Sequence, residues 1–472
     1  MTGVTSIRQN VTAVAGLGQN IVVNAAGGTR GLNGTRPRRV TQRKLKVRSY
    51  THFDDPLEQS ALDALVLTPE RVERNPFLPL LGYEKTTRKI DFDVFPPLPK
   101  EKSRAIRYAG HMDSAIYATY AFDLGDRYEA ILSERDIGDC VLAYRGGIGY
   151  NVPFAKSLFD EIRNRGDCWV VCLDLSKFFG NLQHNVLRTR LATVLGCDHL
   201  PADWYAIFRR LTRYEHVDAK ALEARLGKPK GKRICGIDAF RDAVRPLIRR
   251  NETGRGIPQG TPLSGLLANI YMLEFDEALR RWLSEHGGSY RRYSDDIAVV
   301  LPSPDLEAEF SSFIKAKADA IGLEFNDSKT CRTRFIREGK RLTSDGDELQ
   351  YLGFTFDGTD IRIRPQSIKA FYARMKRNLR RYIKAAKRKD IASSQIRKRV
   401  LIGRFTHWGD NRNFVQYAYR AARELKSPAI RRQLRNHVGI FDRYWAQMIG
   451  KFYPSLAESV SSSVNLGAEN VE

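Results

Sequence analysis

Cysteine is scarce in this chain, with six in 472 residues, and none forms a C-x-x-C pair or a zinc-like grouping with histidine. That excludes a disulfide framework and a structural zinc site on the usual spacings. Cys168 and Cys172 flank a predicted buried strand and read as small core hydrophobes. Long apolar runs are missing too: no stretch of about eighteen apolar residues exists to cross a membrane as a helix. The N-terminus lacks an apolar segment behind a basic start, so a secretory signal is not expected, and the predicted location is cytoplasmic with no membrane partner. Acid is short relative to base, 54 Asp and Glu against 78 Lys and Arg, a formal net charge of +24. A soluble chain this basic meets a polyanion, with nucleic acid the leading candidate. A generically RNA-coated protein of the ribosomal kind would show the same balance.

A hydrophobic content of 42% supports a proper core, and the length suits two or three lobes. Residues 1–50 are rich in Gly, Asn, Thr and Val and turn basic at "RPRRVTQRKLKVR", which predicts a flexible arm. Helical patterns dominate 51–165. "CWVVCLDL" (168–175) has the length and apolarity of a strand, and "HNVLRTRLATVLG" (184–196) reads as a helix. The charged, Gly- and Pro-punctuated stretch 213–253 reads as a loop or insertion. One long helix is predicted over 262–286 and another over 304–322, followed by strands at "LEF" and "LQYLGFTFDG". Between 361 and 400 there are fifteen Lys or Arg against one Asp, in a helical pattern. The segment 456–472 reads as a frayed tail.

Within "RRYSDDIAVV" (291–300) the β-branched and aromatic residues predict a strand, yet Asp295 and Asp296 stand in its middle. A carboxylate beside a core is costly unless compensated. A tight bend at the pair would let one or both acids reach an exposed site, and hard carboxylate oxygens suit Mg²⁺ or Mn²⁺. A solvated hairpin tip would also accommodate two acids. Asp174 ends the apolar strand at "VVCLDLSKFFGNLQH", where open sheets gather their chemistry, although alone it would serve equally as a helix cap. Three converging carboxylates on two metal ions would activate a 3′-hydroxyl and stabilise a leaving pyrophosphate. Between the acidic strands lies "GRGIPQGTPLSGLLANIYM" (254–272), whose glycines and Pro258 allow close backbone approach to a ligand.

Five segments in this order resemble the reverse transcriptases of the bacterial, intron-like lineage. "DLSKFF" is similar to the first catalytic motif, "GIPQGTPLS" to the nucleotide-binding loop and "YSDD" to the second catalytic motif. "GLEFNDSKT" and "YLGF" resemble the next motif and the hairpin that grips the primer end. The resemblance implies Asp174, Asp295 and Asp296 as metal ligands, with the Leu175 backbone carbonyl, and Lys329 as proton donor to pyrophosphate. It implies Phe179 as a gate against the ribose 2′-hydroxyl, with Gln259 and Gly260 at the incoming nucleotide and Arg104 or Arg107, near Lys102 on a fingers strand in "KEKSRAIRYAGHMD" (100–113), on its triphosphate. Tyr293, Leu352 and Gly353 would meet the primer end, Tyr144 and Arg145 the template backbone, and Lys376 and Arg380 the phosphates of the duplex.

The fold so implied is an α+β right-hand polymerase: helical fingers over 51–165, a ferredoxin-like palm over 166–360 with an insertion near 213–253, and a basic helical thumb over 361–455. The implied partners are an RNA template or noncoding RNA, dNTPs and a DNA product, with two Mg²⁺ ions as cofactor. A homo-oligomer is left open. The family commonly has Ser-Pro where this chain has Ser264-Gly265, and often an acid where Gly180 stands. No ribonuclease H-like set of acids and no Cys/His endonuclease cluster follows, and the chain beyond "YLGF" is short for a self-mobile element. With the basic arm and "NVPFAK", this is similar to stand-alone reverse transcriptases of antiphage defence. Two alternatives stay open: a protein-primed or template-independent DNA polymerase, and an RNA-binding scaffold with a vestigial site.

Overall fold

The computed structural model describes residues 45–91, 98–409 and 413–454. Most of the expected N-terminal arm and the whole expected tail lie outside the described residues. The chain divides into two compact units, one from Met1–Gly149 and Leu173–Thr330, the other from Tyr150–Cys172 and Cys331–Glu472. Helices and strands are mixed in both.

The first unit holds a four-stranded sheet in the order β2-β1-β4-β5. β1 (Leu80–Asp91) and β2 (Leu98–Tyr108) form a long antiparallel hairpin; β2 carries Arg104 and Arg107 on a strand, as the sequence reading expects there, whereas β1 falls where it expects helix. Among the described side chains of the hairpin, Glu84, Lys85, Glu101 and Arg104 are exposed and are good helix formers, whereas the apolar Leu80, Leu81, Ile106 and Tyr108 at its base are buried. The strand β3 (Cys168–Asp174) starts in the second unit and its last two residues belong to the first.

The 213–253 stretch is structured rather than a loop. β4 (Glu215–Asp218) pairs parallel with β1, and the short β5 (Arg249–Arg250) pairs antiparallel with β4. Asp218 caps the helix Ala219–Leu226 by accepting from the Lys220 and Ala221 amides. Val217, Leu222 and Val244 close a core with Tyr50, Phe53, Leu81 and Tyr108. Full burial of one such side chain contributes about 1.5–3 kcal/mol, which outweighs the turn-forming bias of the surrounding glycines and prolines.

The helix His111–Glu134 buries Tyr117, Tyr120, Leu124, Tyr128 and Leu132 along one stripe. The predicted long helix over 262–286 is two helices, Ser264–Tyr271 and Leu273–Glu285, meeting at Met272. β6 (Ser289–Tyr293) and β7 (Asp296–Leu301) form a hairpin in register Tyr293↔Asp296.

In the second unit β3 pairs antiparallel with β8 (Cys331–Glu338), and β8 with β9 (Arg341–Asp345). Cys168 is buried and Cys172 half-buried, and all six cysteines are free. A smaller sheet follows from β10 (Leu349–Tyr351), β11 (Phe354–Phe356) and β12 (Ile361–Ile363). The basic stretch forms the helix Pro365–Arg388, opened by a proline whose missing N–H costs nothing there. Its buried residues Phe371, Met375, Leu379 and Ile383 recur every four positions; the first three pack with Leu401, Phe405, Val415 and Phe441, and Ile383 with Ala386, Ile396 and Tyr453. The cations therefore occupy the opposite, outward face.

Candidate active site

The two adjacent acids are tolerated because they sit at a turn. β6 and β7 are joined by Ser294 and Asp295 alone, with Ser294 in the left-handed region at φ 63°, as two-residue hairpins require. Asp295 is half-buried at the turn, and Asp296, first residue of β7, is exposed before the run Ile297–Leu301 goes fully inside.

A fully buried ion pair holds this turn from below. The Arg292 guanidinium donates to Asp276 through Nε (2.8 Å) and Nη2 (2.6 Å), a two-pronged contact with both side chains at 0% exposure. Its Nη1 donates to Asn269 Oδ1 and to the Ser294 carbonyl, both at 3.1 Å. Tyr290 donates its hydroxyl to Asp276 at 2.7 Å. Burial opposes the charge on Arg292, but the Asp276 carboxylate outweighs it and holds the guanidinium above its ordinary value. Sequence reasoning missed this pair. The signal was an arginine and an aspartate at positions whose periodicity points inward, which calls for a mutual partner.

Asp174 comes to the turn through the backbone. The Leu175 amide donates to the Asp295 carbonyl at 3.1 Å, so the end of β3 lies beside the acidic turn. On the other side the Asn326 amide donates to the Asp174 carbonyl and Ser176 to Glu324, both at 2.8 Å. This brings in the turn Asp327–Lys329, and the Lys329 ammonium forms an ion pair with Asp174 Oδ2. The structure thus brings Asp174, Leu175, Asp295 and Lys329 together. Among the described residues no group of three His, Cys, Asp or Glu side chains could hold a metal ion. The donor set is nevertheless of the hard-oxygen type that Mg²⁺ takes by one or two carboxylates, its other ligands being water or substrate oxygens.

Phe178 and Phe179 part company after Lys177, which is left-handed at φ 45°. Phe178 is buried at 3% exposure, whereas Phe179 is half-buried and meets the Tyr144 ring edge-on, with centroids 6.2 Å apart.

The loop 254–264 is tied to its neighbours by backbone bonds: Gly256 to Leu182 (2.8 Å), Ile257 to Phe179 (2.9 Å), and the Arg107 amide to the Gln259 carbonyl (2.9 Å). A Cβ on Gly256 would stand 2.9 Å from the Gly180 carbonyl, and one on Gly260 2.7 Å from that of Arg107. At these two positions the missing side chain lets the loop approach its own protein closely. The half-buried Gln259 side chain makes no hydrogen bond to the described residues, which leaves its amide available.

Arg107 meets the loop with its backbone, while its guanidinium lies against Gly82. Burial, reinforced by the charges of Arg107 and Arg249, pulls His216 down to about 4. Arg104 is exposed opposite Lys85, and the Lys102 side chain lies outside the described residues.

Arg145 is corrected. Arg145 is committed internally, donating from Nε and Nη2 to Glu129 at 2.8 and 2.6 Å and from Nη1 to the Gly138 and Val141 carbonyls. With only 6% of its side chain exposed, it braces the 138–145 loop rather than meeting a template. Tyr144 shares a 2.9 Å hydrogen bond with Ser294 of the acidic turn. Its segment is further held by Asn269 Nδ2 on the Ala143 carbonyl (2.7 Å) and by Leu142 N on the Arg292 carbonyl (2.9 Å). Tyr293 is half-buried beside the turn.

The other expected primer and duplex residues belong to the second unit. Leu352 and Gly353 make the β10–β11 turn, both with positive φ, and the Leu352 carbonyl accepts from Asn151 Nδ2 at 3.1 Å. Lys376 and Arg380 are exposed on the basic helix, with the Lys376 ammonium 4.1 Å from the Tyr444 ring centroid.

Comparison with known proteins matches residues 148–356 to the reverse transcriptase (RNA-dependent DNA polymerase) family. This stretch is a reverse transcriptase domain, the domain of RNA-directed DNA polymerases, in an α+β fold. No curated protein matches the chain. Among solved structures it is similar to apo telomerase from Candida tropicalis truncated from its C-terminal domain, at 12% identity and TM-score 0.40, covering 67% of this chain and 63% of that one. It is also similar to telomerase from Candida albicans in complex with the TWJ fragment of telomeric RNA, at 13% identity and TM-score 0.41, covering 90% and 72%. The chain thus spans a little under two thirds of the first of these structures.

Proposed function

We propose that the protein is an RNA-directed DNA polymerase that extends a primer 3′-end on an RNA template with dNTPs. The observation that carries this reading is the Leu175–Asp295 backbone bond, which sets Asp174 beside the acidic turn with Lys329 alongside, within a reverse transcriptase domain. Asp174, Asp295, Asp296 and the Leu175 carbonyl would hold Mg²⁺, which supplies Lewis-acid activation of the 3′-hydroxyl and neutralisation of the pyrophosphate. The chain's own residues do the rest. Lys329 carries a proton within reach of the departing phosphate. Phe179, backed by Tyr144, lies where a ring under C2′ leaves no room for a hydroxyl. Gln259 offers a free amide to the incoming nucleotide.

The fingers, palm and thumb division belongs to this proposal, as do a cytoplasmic location and a role in antiphage defence with a noncoding RNA. The defence role rests on the sequence resemblance of the "NVPFAK" region together with the N-terminal arm. The test is deep sequencing of nucleic acid bound to the purified protein after incubation with Mg²⁺ and dNTPs, with Asp295→Ala/Asp296→Ala in parallel. DNA complementary to one co-purified RNA and missing from the variant is the expected result. Untemplated repeats would move the reading to template-independent synthesis. RNA without DNA in both samples would leave only a scaffold.

A further inference from the structure

On the first unit, away from the acidic turn, a groove of about 520 Å³ runs between the helices His184–Leu195 and Ala202–Thr212 and the loop 250–254. Four arginines line it, Arg188, Arg209, Arg213 and Arg250. The first three are exposed, and none of them has a carboxylate partner among the described residues. Their neighbours differ: Arg250 and Arg210 are both drawn to Glu215, at 2.5 and 3.8 Å. The fold therefore has an acid in this region and spends it on the rim. Glu252 is the one carboxylate lining the groove itself.

Three like charges gathered round one concavity repel each other, and their arrangement calls for an anion with several negative groups. Between them lies an aromatic surface. The Tyr205 ring is 46% exposed, and the Arg188 guanidinium lies over it at 5.9 Å from its centroid. Exposed aromatic faces interleaved with arginines are the combination that takes bases by stacking and phosphates by charge. The groove is also wired to the site. Its lining residue Gly254 accepts from the His184 amide at 3.1 Å, and two residues on, Gly256 packs against Gly180 at the base of the nucleotide-side loop.

We propose that this groove binds an unpaired stretch of nucleic-acid strand outside the catalytic centre, one base stacking on Tyr205 and successive phosphates lying on Arg188, Arg209 and Arg213. The identity of that strand as RNA rests on the polymerase reading above; the groove's chemistry does not. It anchors the protein to a strand longer than the catalytic centre itself covers.

The experiment is fluorescence anisotropy on the full chain with a labelled 20-nucleotide oligoribonucleotide and its deoxy counterpart, across a salt series. Three proteins are compared: wild type, Arg188→Glu/Arg209→Glu/Arg213→Glu, and Tyr205→Ala. The triple variant is expected to weaken binding by more than tenfold and to flatten the log–log salt slope by about 2, as loss of three single-strand phosphate contacts requires. Tyr205→Ala is expected to cost about tenfold with the slope unchanged, since stacking releases no counterions. Tighter binding of the oligoribonucleotide identifies RNA as the occupant, and equal binding a strand of either kind. Extension of a short RNA–DNA hybrid confined to the catalytic centre should stay within about twofold in all three proteins. Unchanged anisotropy in both variants would overturn the proposal, as would an equal fall in binding and hybrid extension. A wild type that binds the strand but extends nothing would sink the polymerase reading and leave the groove standing.

Discussion

The ring of Tyr144 occupies the space that a side chain on residue 265 would need: a Cβ built on Gly265 would come within 2.5 Å of it. The same tyrosine bonds Ser294 through its hydroxyl and meets Phe179 at its edge. The Gly265 found where related enzymes commonly carry proline is thus the counterpart of Tyr144. Gly265→Ala should destabilise the protein by about 1–3 kcal/mol, the usual cost of overpacking. Tyr144→Ala has its own cost, but in that background Gly265→Ala should cost little or nothing in urea unfolding. An equal cost of Gly265→Ala with and without the Tyr144 ring would break the link.

Phe179→Ala removes the ring while Phe178 keeps the core. Incorporation of a ribonucleotide relative to the matching deoxynucleotide should rise by at least about tenfold in kcat/KM, with deoxynucleotide use only modestly reduced. Single-nucleotide incorporation assays read this ratio directly.

The Arg292–Asp276 pair should show strong coupling. Arg292→Met alone leaves a buried carboxylate uncompensated and should cost about 3–5 kcal/mol. Combining it with Asp276→Leu should cost clearly less than the sum of the singles, since the second change removes the orphaned charge. Denaturant unfolding followed by circular dichroism measures both.

What could be read from the chain beforehand divides along physical lines. The acids at 174, 295 and 296 and the loop 254–260 were legible because their chemistry demands particular side chains at particular spacings. The two-residue turn under Asp295 was anticipated as a bend. Of the β1–β2 hairpin only the strand around Arg104 and Arg107 was, because the exposed Glu84 and Lys85 of β1 are helix formers and only pairing decides its state. The structure in 213–253 was hidden in the same way, its burial resting on a few apolar residues among many turn formers. Arg145 illustrates a harder limit: nothing in a sequence says whether an arginine will face solvent or close on a glutamate sixteen residues earlier.

His52 supplies a pH dependence. It is fully buried, and burial is the main cause pulling its pKa down to about 4; Asp54 opposes this and His111 assists. The unfolded chain therefore binds more protons between pH 4 and about 6.5, and this contribution to stability is complete above about 6.5 and lost as pH falls toward 4. Asp113, raised to about 7 mainly by burial, acts oppositely, losing stability as pH rises through the same window. The wild type minus His52→Asn difference isolates the first effect. It should shrink by about 2 kcal/mol from pH 7 to pH 5, at ~1.4 kcal/mol per pH unit.

The most direct test is single-turnover extension of a DNA primer on an RNA template with Mg²⁺ and dNTPs, comparing wild type with Asp295→Asn. The variant keeps the turn's shape and loses only charge. Templated extension by the wild type, reduced by about 10³-fold or more in the variant at unchanged hybrid affinity, is the predicted result. Equal extension by both proteins, or none by the wild type, would contradict the account.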